Sequence, residues 1–212
     1  MRVTSRAVFV AALAVTTQGL VGGSAQADLV GWWSFDEGIR DRSGHFQDAA
    51  YVGGDKVIYS GEVPAAVGGG ESIDLQGDEV VVVAHAPALL FDQAFSVSYW
   101  VRGSAEGLGG KTMVKAAGAG ETVWEVQDAD GSGERSRMTT RPDGGSFTFG
   151  PEYDASDGGW HHVAYIVQIR SGFIEHDLWF DGGFVGMDGV RRPRRPSVAP
   201  GIWRSAVRRT RR

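Results

Sequence analysis

The side chains best equipped for chemistry in this 212-residue chain are five histidines and 26 carboxylates, and there is no cysteine. That absence excludes disulfides, thiol nucleophiles and Cys-type zinc sites in one step. His161 and His162 stand side by side. Adjacent strand positions point to opposite faces, so the pair cannot converge on one metal ion from regular β geometry, and structural histidines are the expectation. No Gly-x-Ser-x-Gly elbow supplies a serine partner. Gly110-Lys111-Thr112 ends like a phosphate-binding loop, but Ala105 stands where that motif needs glycine. Asp36, Asp41 and Asp48 cluster around the first strand and its turn. Their hard oxygens suit calcium, and the same side chains can cap a turn by accepting backbone N–H groups. Asp128-Ala129-Asp130-Gly131-Ser132-Gly133-Glu134 begins like an EF-hand loop but has Thr139 at the twelfth position, and its strand-like flanks predict a hairpin turn.

The elements that must hold these groups read as strands. Short runs rich in Val, Ile, Thr and aromatics occur at 30–35, 72–75, 80–84, 95–101, 112–115, 122–127, 147–149, 161–168 and 177–180. Turns separate them: Gly53-Gly54, Gly68-Gly69-Gly70, Gly77-Asp78, Asp130-Gly131, Asp143-Gly144-Gly145 and Asp181-Gly182-Gly183. No stretch of the body sustains a helical period over three turns, so an all-β sandwich or barrel is predicted. Within Phe95 to Val101, Phe95, Val97, Tyr99 and Val101 share one face, and Ser96, Ser98 and Trp100 the other. Phe95, Trp100 and Trp160 are the first candidates for the core. Trp32 and Trp33 are neighbours and cannot both face inward unless both faces of their strand are covered, so an exposed one could stack on a sugar ring.

The two ends differ from the body. Residues 1–27 have a basic start at Arg2 and Arg6, an apolar run from Ala7 to Val15 and the small-residue motif Ala25-Gln26-Ala27, the pattern of a secretory signal peptide that leaves Asp28 as the mature N-terminus. Nine apolar residues fall well short of the roughly 20 a spanning helix needs, so no membrane span is expected. Export places the protein outside the cytoplasm, secreted or extracytoplasmic. All 26 acids lie between Asp28 and Asp188, which gives residues 28–190 ten basic residues and a net charge of −16. Residues 191–212 hold nine of the 18 arginines and no acid. This Arg/Pro-rich tail is predicted to be disordered. It reads as a basic extension for anions or as a frameshifted or truncated end; the composition break favours the second, and no nucleic-acid partner is expected.

Five segments, in order, carry a family resemblance. Gly31-Trp32-Trp33-Ser34-Phe35-Asp36-Glu37-Gly38 and Asp41-Arg42-Ser43-Gly44 resemble the first strand and turn of bacterial laminin G-like domains. Ile73-Asp74-Leu75-Gln76-Gly77-Asp78-Glu79-Val80 and Phe95-Ser96-Val97-Ser98-Tyr99-Trp100-Val101 look like the next strand pair and the central strand. Trp160-His161-His162-Val163-Ala164, followed by Leu178-Trp179-Phe180-Asp181-Gly182-Gly183-Phe184-Val185, resembles the family's late strand and aromatic hairpin. The resemblance implies a concanavalin A-like jelly-roll sandwich of two antiparallel sheets spanning residues 28–190. It implies a secreted recognition module, not an enzyme, that binds an extracellular glycan or surface protein. A rim or edge calcium ion is implied too, with Asp36, Asp41 and Asp48 as its candidate ligands.

The chain departs from that family at its end, where the Arg/Pro tail replaces the long final strand that closes the sandwich. The closing C-terminal strand is therefore expected to be missing, which leaves a sheet edge unpaired. Glucanases of the same superfamily carry Glu-x-Asp-x-x-Glu on a strand. Glu175-His176-Asp177 begins that pattern, but Phe180 takes the third acid's place, and Glu125-Val126-Gln127-Asp128 misses it by one residue. A hydrolase on this scaffold and a fragment of a larger cell-surface protein are the competing readings.

Overall fold

The computed structural model describes residues 11–16, 27–45, 47–53, 58–75, 80–86, 89, 94–103, 113–118, 121–128, 137–140, 147–150, 153–170 and 173–191. The Gly110-Lys111-Thr112 motif, residues 129–136 of the EF-hand-like segment, most of the leader and the tail from 192 onward lie outside them. Fourteen strands and one short 3-10 turn, Ala65–Val67, make up the regular structure of these residues. Among the described residues no helix is long and apolar enough to cross a membrane.

Two antiparallel sheets face each other. The larger runs in the order β14 (Gly183–Arg191), β13 (Phe173–Phe180), β12 (His161–Arg170), β7 (Phe95–Val101), β1 (Ala11–Thr16) and β2 (Ala27–Trp33). The smaller runs β11 (Phe147–Phe149), β10 (Arg137–Thr140), β9 (Glu121–Gln127) and β8 (Met113–Gly118). Two pairs flank them: β3 (Ala49–Val52) with β6 (Val80–Val83), and β4 (Ile58–Ser60) with β5 (Ser72–Asp74). The chain is thus all-β, with the layered arrangement of a sandwich.

Period-two alternation decides which side chains enter the core. Phe95, Val97, Tyr99 and Val101 are buried while Ser96, Ser98 and Trp100 are only partly covered. The same holds on β13, where Ile174, His176 and Leu178 face inward. Opposite them, β9, β10 and β11 supply Trp124, Val126, Met138 and Phe149, and the Trp124 ring lies 5.8 Å from that of Phe95. Of the three large aromatics proposed for the core, Phe95 is there. Trp100 points out from the opposite face of β7, and Trp160 sits half-covered under the Arg102 guanidinium, 5.8 Å from its ring centre.

A second apolar cluster of Trp33, Phe35 and Ile73 joins the first strand to the two flanking pairs. Phe35 holds a left-handed backbone (φ 64°), a conformation that costs about 1–2 kcal/mol outside glycine and that its fully buried ring offsets. The Asp181-Gly182 turn has both φ values positive, 48° and 79°, as the two-residue hairpin between β13 and β14 requires.

Two sheet features differ from the sequence reading. After the hairpin the chain continues as β14, an edge strand that ends at Arg191 on the far side of the sheet from β2. Ala11–Thr16, inside the predicted leader, occupies a strand position between β7 and β2 and pairs antiparallel with both. The sheet therefore reaches beyond the 28–190 span expected for the domain.

Candidate functional site

The outer face of the six-stranded sheet carries the residues that alternate with the core. Directly paired residues share a face, and the register places Ser98, Ala164, Trp179 and Phe184 in one row across β7, β12, β13 and β14. The row continues through Ala12 to Trp32 on β2. One step along, Trp100 pairs with His162. Small side chains at 98 and 164 thus form a low floor between two aromatic groups.

Each group has defined packing. The Trp179 and Phe184 rings meet edge-on with centroids 5.4 Å apart, and both are exposed, by 39% and 52%. Met187, 58% exposed, is the register partner of Asp177 on the same face. Across the floor, Trp100 tilts against His162 at 5.1 Å, and Ser98 Oγ lies 2.7 Å from His162 Nε2. Burial pulls the His162 pKa below its ordinary value, with the Asp181 carboxylate pulling the other way, so the ring is neutral at pH 7. Glu175, Asp177 and Trp179 alternate along β13 on this outer face, and Asp177 Oδ1 is buried with no hydrogen-bond partner among the described residues. Trp32 stands about 19 Å from Trp179, four strand spacings away.

The adjacent histidines take separate roles, as their alternation predicts. His161 sits at the start of β12 between two carboxylates, Nδ1 at 2.8 Å from Asp181 Oδ2 and Nε2 at 2.9 Å from Asp157 Oδ1, and stacks on Phe180 at 4.8 Å. Its partial burial opposes protonation, but the two carboxylates outweigh that and raise its pKa. Asp181 Oδ1 also accepts the His162 N–H at 2.8 Å, which ties the hairpin turn to the neighbouring strand.

The three predicted calcium ligands are held by the backbone. Asp41 Oδ1 accepts N–H groups of Trp32 (3.0 Å) and Ser43 (2.8 Å), and Oδ2 accepts Ser43 Oγ–H (2.8 Å) and the Gln47 N–H (3.0 Å). Burial works against ionisation of Asp41, and these donors together outweigh it and lower the pKa. Asp48 Oδ1 accepts the Asp41 N–H at 2.9 Å. Asp36 Oδ1 accepts the Glu71 N–H at 2.9 Å and lies against Gly70, which ties the first strand to β5. These contacts are those of turn caps, the role that the same side chains can play without a cation. Among the described residues no three His, Asp or Glu side chains converge as a metal donor set.

Two buried polar groups escape any motif. Asp128 lies inside the sandwich, where Tyr99 and Tyr153 donate to its Oδ1 at 2.6 and 2.9 Å, and Tyr153 Oη is 3.4 Å from Tyr165 Oη. Burial, then the Asp128 charge, pushes the Tyr99 and Tyr165 hydroxyls well up, so both stay protonated as donors. His176 Nε2 lies 3.0 Å from Thr140 Oγ1 between Phe147 and Phe149, and burial pulls its pKa down to about 4 despite the Asp188 carboxylate. Alternation along β13 was the one sequence signal that could have placed His176 inside.

No family model matches the chain, and no curated protein or solved structure matches it at a significant level.

Proposed function

We propose that the chain is a laminin G-like recognition module of jelly-roll type, exported from the cell, which binds an extracellular glycan on the outer face of its six-stranded sheet. The observation that carries this reading is the Ser98–Ala164 floor, flanked across the sheet by exposed Trp179 and Phe184 and along its own two strands by Trp100 and His162. Aromatic rings offer flat apolar surface to the C–H face of a sugar ring. Polar groups beside them set orientation: the Ser98 hydroxyl and His162. A chain of sugars suits the spread of the face better than a single ring does.

The hydrolase reading is weaker on this geometry. Glu175 and Asp177 share the outer face, but position 180 holds Phe180, whose ring packs on Tyr153 at 4.5 Å. The test is tryptophan fluorescence of the folded full chain titrated with a panel of polysaccharides, wild type against Trp179→Ala. Binding that falls at least tenfold in the variant supports the proposal; no spectral change with any polysaccharide removes it and favours a protein ligand.

A further inference from the structure

The seat of Ala11–Thr16 in the middle of the sheet has a consequence if the leader is removed. Cleavage after Ala27 takes away the whole strand and leaves β2 and β7 unjoined, since β1 alone connects them. The vacated position is narrow and directional. β1 runs antiparallel to both neighbours, pairing Ala12 to Val15 with Ser98 to Phe95 and Ala11 to Thr16 with Trp33 to Ala27. Hence β2 and β7 are parallel to each other, one strand apart, and only a strand inserted antiparallel satisfies both edges.

Leaving it empty is costly. The β7 residues that face the gap include Phe95 and Val97, both in the core, so their backbone groups on that side cannot all be exchanged for water. The inner face of β7 is apolar, which pins the register of whatever enters. Among the described residues no later strand lies at the gap. β14 ends at the opposite edge, three strands from it, and residues 192–212 carry prolines at 193, 196 and 200 among eight arginines, a poor interior strand. A second processed copy lacks the same strand and cannot donate it.

We propose that the gap between β2 and β7 is a strand-acceptor site, filled in the exported protein by an extended, uncharged, largely apolar segment of another polypeptide. Ala-Ala-Leu-Ala-Val-Thr is the template for that segment: six residues, no charge, no proline, joined to its neighbours through main-chain hydrogen bonds. The glycan proposal stands apart from it, because His162, Trp179 and Phe184 lie on β12, β13 and β14 and Trp100 lies beyond the Phe95–Ser98 stretch of β7 that pairs with β1.

The experiment starts from the full chain with a protease recognition sequence placed between residues 17 and 26. After cutting, the N-terminal fragment is expected to stay with the body on size exclusion. It should exchange for a fluorescein-labelled peptide of residues 9–18, read by anisotropy, while the Leu13→Pro peptide binds at least tenfold more weakly because proline removes a ladder donor. Three results overturn the proposal: release of the fragment with an unchanged melting temperature and no peptide uptake, equal binding of both peptides, or pairing of two cut bodies that shuts the peptide out. If cutting precipitates the body, the native peptide added beforehand must keep it soluble and the proline peptide must not. Failure of that rescue also overturns the proposal. Polysaccharide binding by the uncut chain is measured in parallel, so loss of either activity is read separately.

Discussion

The two faces of the six-stranded sheet are built from the same strands, one residue out of step, and they do opposite things. Inward, Val97, Tyr99, Tyr165 and Leu178 are fully buried against the second sheet, and the buried Asp128 Oδ1 accepts from the hydroxyls of Tyr99 and Tyr153. Outward, Trp179, Phe184 and Met187 are exposed, with no layer over them among the described residues. The histidines make the same contrast: each has a hydroxyl partner, but His176 inside has its pKa driven down to about 4, while His162 outside has a milder downward shift. The inner face has the chemistry of stability, and the outer face has that of a surface awaiting a ligand.

The largest effect should come from breaking the inner face. Leu178→Ala removes a fully buried side chain and should cost about 2–5 kcal/mol, read as a fall in the urea midpoint at constant slope. Acid tests the same face through His176. Its folded pKa lies below its ordinary 6.5, so the unfolded chain takes the proton first as the pH falls. The stability held above about pH 6.5 is lost as the pH drops toward 4, and the full shift corresponds to roughly 3 kcal/mol. A His176→Phe variant should flatten that part of the stability profile; an unchanged slope would place the acid sensitivity elsewhere.

A smaller loss is expected at the turn. Asp41→Ala deletes an acceptor for four donors and should cost about 1–2 kcal/mol in thermal unfolding, and Asp41→Asn should recover part of it. Millimolar calcium should not change the melting temperature through this turn. A rise that persists in Asp41→Ala would assign the ion to other acids of the chain. The smallest effect on stability belongs to the outer face. Trp179→Ala should change the unfolding free energy by under about 1 kcal/mol while reducing polysaccharide binding, the reverse of the Leu178→Ala pattern. A Trp179→Ala loss as large as that of Leu178→Ala would erase the distinction between the faces.

Much of the scaffold was legible in the residues themselves. Phe95 to Val101 alternates so strictly that both its strand and its buried side could be read, and Asp181-Gly182 specified a hairpin because only such residues accept positive φ cheaply. Other strands were not legible. Arg137–Thr140 and Ala49–Val52 are short and carry little apolar signal, and Gly183–Arg191 contains three glycines that local propensity counts against a strand. In the fold one of those glycines has a clear use: Gly189 lies under the Phe173 ring, where a side chain would collide.

What the sequence determined alone is the period-two pattern, the turn chemistry of Asp181-Gly182 and Asp41, and the exclusion of thiol chemistry, because each depends on residues within a few positions of one another. Which aromatic faces water was decided by tertiary structure. Trp100 is a core candidate by its size alone, but the second sheet, whose strands lie between residues 113 and 149, packs on the Tyr99 face and leaves Trp100 beside His162. The same long-range pairing drew Ala11–Thr16 between two strands far apart in the chain, since an interior gap between paired edges exerts its demand only once those edges exist.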